Sequence, residues 1–103
     1  MNDKIKDKNT DFLFDAILQL RTQEECYRFF EDLCTVSELK ALSQRIAVAK
    51  MLRDKCAYSD IMSATGAATA TISRVNRSLT YGCDAYEMVF ERLEAASKDE
   101  DPS

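Results

Sequence analysis

Apolar residues recur along the chain at steps of three and four, the spacing of one helix face. Thr10 precedes a wide apolar run over residues 12–20, which predicts a first helix of about ten residues. Thr22–Glu25 and Thr35–Glu38 each place a hydroxyl three residues before a carboxylate, the reciprocal arrangement that starts a helix. The stripe after the second of these predicts the longest helix, about eighteen residues, ending near Asp54.

The middle of the chain predicts two short helices joined by a tight turn. The first begins at Tyr58 and ends at Gly66, because glycine readily adopts the left-handed conformation that terminates a helix. Ile72, Val75 and Leu79 then recur at i, i+3 and i+7, so a second helix follows at once. Together these elements predict a helix-turn-helix over about residues 58–80. A last helix is expected to open at Asp84–Glu87.

The composition favours one helical domain. The chain has 103 residues, 46% hydrophobic and 31% charged, with only two glycines and one proline to build sheet turns. We therefore expect an all-α protein of about six helices, with a flexible N-terminus over 1–9, a single domain over 10–95 and an acidic tail over 96–103. No long apolar stretch or leader pattern is present, so a cytoplasmic location is expected.

The chain offers little for catalysis or metal binding. Histidine is absent, which removes the commonest general base and metal ligand. The four cysteines form no Cys-x-x-Cys pair and are expected to be reduced packing residues. We expect no catalytic residues, no metal and no cofactor. The only enzyme alternative is a small helical enzyme in which Arg45 and Arg74 hold a carboxylate substrate, without an identified base.

Positive charge is concentrated in the middle of an acidic chain. Residues 35–80 hold seven basic and three acidic side chains, a net charge of +4 within a total of −4. Residues 1–34 carry −3 and residues 81–103 carry −5. A basic central segment is compatible with a phosphate-bearing partner, but on charge alone a solvated basic helix face is the favoured interpretation.

The N-terminal half is unusually aromatic for its length. Five aromatic side chains lie within nineteen positions, on two short helices. They are Phe12, Phe14, Tyr27, Phe29 and Phe30. A lone chain of this size covers only part of that surface, so we expect a homodimer formed through the N-terminal half.

The outward side of the second short helix has the chemistry of a DNA-reading helix. Its residues are small, hydroxyl-bearing or basic, and none is acidic. Small residues let the first turn approach base edges, while arginines reach phosphates or guanine. The candidate DNA-binding residues are Ala68, Thr69, Ala70, Thr71, Ser73, Arg74 and Arg77. The alternative is a structural hairpin within a helical protein–protein interaction module that has no DNA role.

The run Thr65–Arg74 resembles the helix-turn-helix of the tryptophan operon repressor family. Leu33–Thr35 and Glu38–Leu42, followed by Arg45, resemble a second family segment, and the similarity spans about residues 12–93. Within the family, the chain is most similar to the YerC/YecD group of transcription regulators. The resemblance implies a six-helix protomer, an intertwined homodimer, and binding to a palindromic operator in double-stranded DNA.

The resemblance also implies an effector pocket. By position, the residues that hold tryptophan in the family match Thr35, Arg45, Arg74 and Ser78, but Val75 stands where the family has a glycine that leaves room for the indole. We therefore expect that tryptophan does not bind, and that Val75 fills the pocket or leaves space for a smaller ligand only.

A further departure lies on the first helix of the motif. Ser59 and Met62 replace basic residues of the family, so we expect a different operator. Arg77 either supplies a compensating contact to a phosphate or a base, or is a solvent-exposed arginine without such a role.

Overall fold

The computed structural model describes residues 3–100, and every regular element in that range is helical. The elements are a 3-10 turn at Asp3–Ile5 and helices α1 (Lys8–Ile17), α2 (Gln23–Leu33), α3 (Val36–Arg53), α4 (Tyr58–Thr65), α5 (Thr69–Tyr81) and α6 (Ala85–Glu100). The all-α prediction is confirmed. The chain divides between Leu39 and Lys40 into two compact units, while the single domain over 10–95 stays a prediction.

Helix α1 starts earlier than the apolar pattern predicts. Its N-cap is Asp7, whose carboxylate accepts a hydrogen bond from the Thr10 amide at 2.7 Å. That bond lowers the pKa of Asp7. Aspartate is a strong N-cap because its oxygen satisfies an amide that has no partner within the helix. The helix therefore begins at Lys8, inside the stretch expected to be flexible.

The two predicted capping boxes are confirmed. The Thr22 hydroxyl accepts from the Glu25 amide at 3.1 Å, and the Glu25 carboxylate accepts from the Arg21 amide at 2.9 Å. The Thr35 hydroxyl accepts from the Glu38 amide at 3.1 Å, and the Glu38 carboxylate accepts from the Thr35 amide at 2.8 Å. The last bond lowers the pKa of Glu38, because the amide stabilises the charged carboxylate.

Helix α3 ends with a left-handed residue that is not glycine. Lys55 has a φ of 65°, its amide donates to the Leu52 carbonyl, and the next amide, of Cys56, donates to the Met51 carbonyl. This is the Schellman arrangement, which satisfies the last carbonyls of a helix. It stops α3 close to the predicted Asp54.

The first unit contains no buried side chain among residues 3–39. Phe12 is 75% exposed, and Phe14, Leu18 and Tyr27 are also largely exposed. Helices α1 and α2 thus present apolar side chains that this chain leaves uncovered, and such a surface is the basis on which a dimer is predicted.

The core lies in the second unit. Its buried residues come from α3, α4, the turn after α4, α5 and α6, and are Val48, Ala49, Ile61, Ala67, Ile72, Val75 and Phe90. Met51, Leu52, Cys56, Leu79 and Tyr86 pack around them. Both members of the helix-turn-helix contribute to this cluster, so the core fixes α5 against its neighbours.

Helix α6 runs further than expected. It continues to Glu100, so residues 96–100 of the expected acidic tail are helical, and residues 101–103 lie outside the described part. The pKa of Glu94 is lowered first by a hydrogen bond from Arg53 and, to a smaller extent, by the charge of Lys98. Glu94 and Lys98 are four residues apart in the favourable order along the helix. This spacing of opposite charges favours the helical conformation of the last turns.

Candidate nucleic-acid interface

The turn between α4 and α5 is held by one glycine and one threonine. Gly66 has a φ of +73°, and its amide donates to the Met62 carbonyl at 2.9 Å. The Thr65 hydroxyl donates to the Ile61 carbonyl at 2.7 Å and accepts from the Ala67 amide at 3.1 Å. A side chain at Gly66 would meet nothing within 4 Å. Glycine is therefore favoured here by its backbone conformation and not by lack of space.

Gln44 on α3 adds a contact that no sequence pattern predicts. Its side-chain amide donates to the Thr65 carbonyl at 3.2 Å, where α4 ends. Carbonyls in the last turn of a helix lack helical partners, so this bond satisfies one of them and ties the turn to α3. Gln44 lies 21 residues from Thr65. No local pattern in the sequence could have indicated the pair.

Helix α5 begins with its amide groups uncapped by any side chain. Ala68 is the N-cap, in extended conformation, and makes no side-chain capping bond. The first turn contains no acidic residue. The unsatisfied amides and the positive end of the helix dipole are therefore not neutralised locally.

The structure leaves the predicted outward residues of α5 accessible. Thr71 is partly exposed, and the remaining candidates are exposed: Ala68, Thr69, Ala70, Ser73, Arg74 and Arg77. On the opposite side Ile72 and Val75 are buried, as the apolar stripe predicts. The Thr69 hydroxyl donates to the Met62 sulfur at 3.7 Å.

Charge pairing divides the basic residues of the central segment into two groups. Lys50 pairs with Asp54 at 2.9 Å, and Arg53 pairs with acidic residues of α6. Within the described part of the chain, the other five cations make no ion pair, and they are Lys40, Arg45, Lys55, Arg74 and Arg77. Two of these five lie on α5.

Arg53 has a structural role that its charge alone does not reveal. Its guanidinium donates to both carboxylate oxygens of Glu87, at 2.8–3.1 Å, and to Glu94, and it lies 5.7 Å from the centre of the Phe90 ring. The hydrogen bonds from Arg53 lower the pKa of both glutamates and raise the pKa of Arg53. Arg53 thereby connects α6 to the end of α3, and two carboxylates balance its charge.

A small cleft opens beside α5. It has a volume of about 240 Å³ and is lined by Arg45, Thr71, Arg74, Val75, Ser78 and Tyr86. The structure thus brings together four of the five residues expected at the effector pocket and adds Thr71 and Tyr86. Thr35 does not line this cleft, and its hydroxyl is engaged in the cap of α3.

The sequence profile described as Trp repressor protein matches residues 8–94. The chain belongs to the Trp repressor family. The uncharacterised protein YerC of Bacillus subtilis is 56% identical over 91 residues, 88% of each chain.

Two solved Trp repressor-like structures share this fold. A TrpR-like protein from Eubacterium eligens is 58% identical, with a TM-score of 0.87 over 90% of this chain and 96% of its own. A candidate Trp repressor from Staphylococcus aureus is 53% identical, with a TM-score of 0.86 over 89% of this chain and 92% of its own. The Trp repressor family consists of DNA-binding regulators and not of enzymes.

Among the residues that line this cleft, Val75 is the buried one. It is 4% exposed, belongs to the core, and forms a wall of the cleft at the position that the resemblance assigns to a glycine. Its isopropyl group occupies space that a glycine would leave open.

None of the helices between residues 3 and 100 combines the length and apolarity that a membrane span requires.

Proposed function

We propose that the protein is a homodimeric, sequence-specific transcription regulator that inserts α5 into the major groove of a palindromic operator. The observation that carries this proposal is the outward side of α5. Ser73, Arg74 and Arg77 are exposed there, and the two guanidiniums make no ion pair among the described residues. Unpaired guanidiniums on a rigid helix are available to phosphates and guanine edges.

The turn makes this surface rigid. Gly66, Thr65 and Gln44 fix where α4 ends, and Ile72 and Val75 anchor α5 in the core. A reading helix must be held firmly because a bidentate contact to a base tolerates little error in position. The small residues at the start of α5 allow its uncapped first turn to approach the duplex closely.

A second copy of the chain completes the regulator. Several large apolar side chains of α1, its C-cap and α2 are exposed in this chain, among them Phe12 and Leu18. We assign them to the dimer interface. Twofold symmetry then presents two α5 helices to half-sites about one helical turn, ~34 Å, apart. The regulator acts in the cytoplasm, where its DNA lies.

Substitution of Arg77 tests the reading surface. Arg77→Ala should weaken binding to a selected operator duplex by about tenfold, because one arginine contact to a base or phosphate is lost. Arg92→Ala, an exposed arginine on α6, is the matched control and should bind as the wild type does. Fluorescence anisotropy measures both. Equal affinity of the wild type and of an Arg74→Ala, Arg77→Ala double variant would contradict the proposal and favour an interaction module without a DNA role.

Tryptophan should not be the effector. The buried Val75 side chain narrows the cleft where an indole would lie, so we expect DNA binding to need no added tryptophan. Titration calorimetry with free tryptophan should show no heat of binding up to millimolar concentration. Micromolar binding would contradict this part of the proposal.

A further inference from the structure

Tyr81 is the last residue of α5 and lies outside the set of candidate DNA-binding residues, which ends at Arg77. It is 84% exposed, the highest value among the large apolar side chains of the described chain. Its hydroxyl has no hydrogen-bond partner among the described residues. The core therefore does not explain why a tyrosine stands here.

Tyr81 lies on the outward stripe of the helix. With successive residues about 100° apart, Ala70, Arg74, Arg77 and Tyr81 fall within about 60° of one another. The buried stripe formed by Ile72, Val75 and the partly buried Leu79 lies on the opposite side. Tyr81 thus extends the surface that carries the two unpaired arginines by one further turn.

The distance along the helix indicates which part of a duplex Tyr81 can reach. It lies about 6 Å beyond Arg77 and about 12 Å beyond Ser73, at about 1.5 Å per residue. The major groove is about 12 Å wide, so a helix that brings Ser73 to the base edges approaches the sugar–phosphate rim near its last turn. A phenol hydroxyl donates well to a phosphate oxygen, and tyrosine is among the residues that make such contacts.

We propose that Tyr81 donates a hydrogen bond from its hydroxyl to a phosphate of the DNA backbone, as a positioning contact that does not read sequence. This inference rests on the proposed function, since it needs α5 to lie in the groove. Absence of any acidic side chain from Thr69–Tyr81 makes the whole outward stripe compatible with the phosphate backbone.

The test compares Tyr81→Phe and Tyr81→Ala with the wild type by fluorescence anisotropy, on the selected operator duplex and on a random-sequence duplex of equal length. Both variants should bind about tenfold more weakly, because each loses a hydrogen bond to a charged group. The loss should be equal on both duplexes, and the salt dependence should stay unchanged because the hydroxyl is neutral. Arg92→Ala, at an exposed residue of α6 outside the proposed DNA and dimer surfaces, is the control and should bind as the wild type does.

Three results would overturn the inference while leaving the proposed function in place. They are wild-type affinity in Tyr81→Phe, a loss confined to the operator duplex, and dissociation of the Tyr81→Ala dimer in sedimentation. The first shows that the hydroxyl makes no contact, the second marks a base contact, and the third marks a subunit contact. Failure of the wild type to bind either duplex would instead overturn the proposed function, and this inference with it.

Discussion

Two residues with the same backbone conformation show how single side chains shape this fold. Gly66 and Lys55 both lie in the left-handed region, with φ values of 73° and 65°. Glycine adopts this conformation without steric cost, whereas a lysine Cβ lies too close to the following carbonyl. The turn before α5 is therefore relaxed, and the end of α3 is strained.

Substitutions at these two positions should have opposite effects. Gly66→Ala should lower the free energy of unfolding by about 1–2 kcal/mol, because alanine is disfavoured in the left-handed region. Lys55→Gly should not lower it and should raise it by up to about 1 kcal/mol, since the strain at that position is relieved. Urea denaturation measures both. An unchanged urea midpoint in Gly66→Ala would show that the turn does not depend on this conformation.

At the scale of helices, local signals in the sequence were enough to predict where most elements begin. The capping boxes at Thr22 and Thr35 and the glycine after α4 act within a few residues, so the pattern contains them. Thr10 was the wrong start for α1, because Asp7 provides a cap three residues earlier. The apolar stripe is easier to recognise in the sequence than the N-cap, but the N-cap determines the residue at which the helix begins.

The contacts between helices were not predictable. Gln44 meets Thr65, and Arg53 meets Glu87 and Glu94, across separations of 21, 34 and 41 residues. Such pairs form because helix packing brings distant residues together, and they produce no periodic pattern in a single sequence. The same holds for Tyr81, whose exposure becomes evident only once the end of α5 is known. The outward residues of α5 were predictable because the buried stripe on the same helix fixes their direction.

The Arg53 cluster should make stability depend on pH. Because Arg53 lowers the pKa of Glu87 and Glu94 below their ordinary value of 4.5, its contribution is fully present above that value. It is lost as the pH falls through the lowered values and the carboxylates become protonated. The urea midpoint of Arg53→Met should therefore lie below that of the wild type at neutral pH, and the two should converge in acid.

The pair Lys50–Asp54 provides the control for that experiment. Both side chains are about half exposed, and exposed pairs contribute little because water screens them. Lys50→Met should therefore change the midpoint only slightly at any pH. A constant difference between wild type and Arg53→Met at all pH values would show that lost packing on Phe90, and not the charge, causes the effect.

At the scale of the whole molecule, the two units have different roles. The second holds the core and presents α5, and the first presents apolar side chains that we assign to a partner subunit. Phe12→Glu should therefore convert the dimer to monomers in sedimentation at micromolar concentration, because a charge cannot be buried there without a partner. Tyr81→Ala is the control and should stay dimeric. A monomeric wild type would contradict the assignment.

The most direct measurement of the central claim is selection of bound sequences from a random DNA pool by the purified wild-type protein, without added metabolite. The enriched sequences should share a palindrome whose half-sites lie about one helical turn, ~34 Å, apart. If Arg77 contacts a base, Arg77→Ala should relax the base preference within each half-site. If Arg77 contacts a phosphate, the substitution should weaken binding to all sequences equally. Failure to enrich any sequence at low salt would contradict the account.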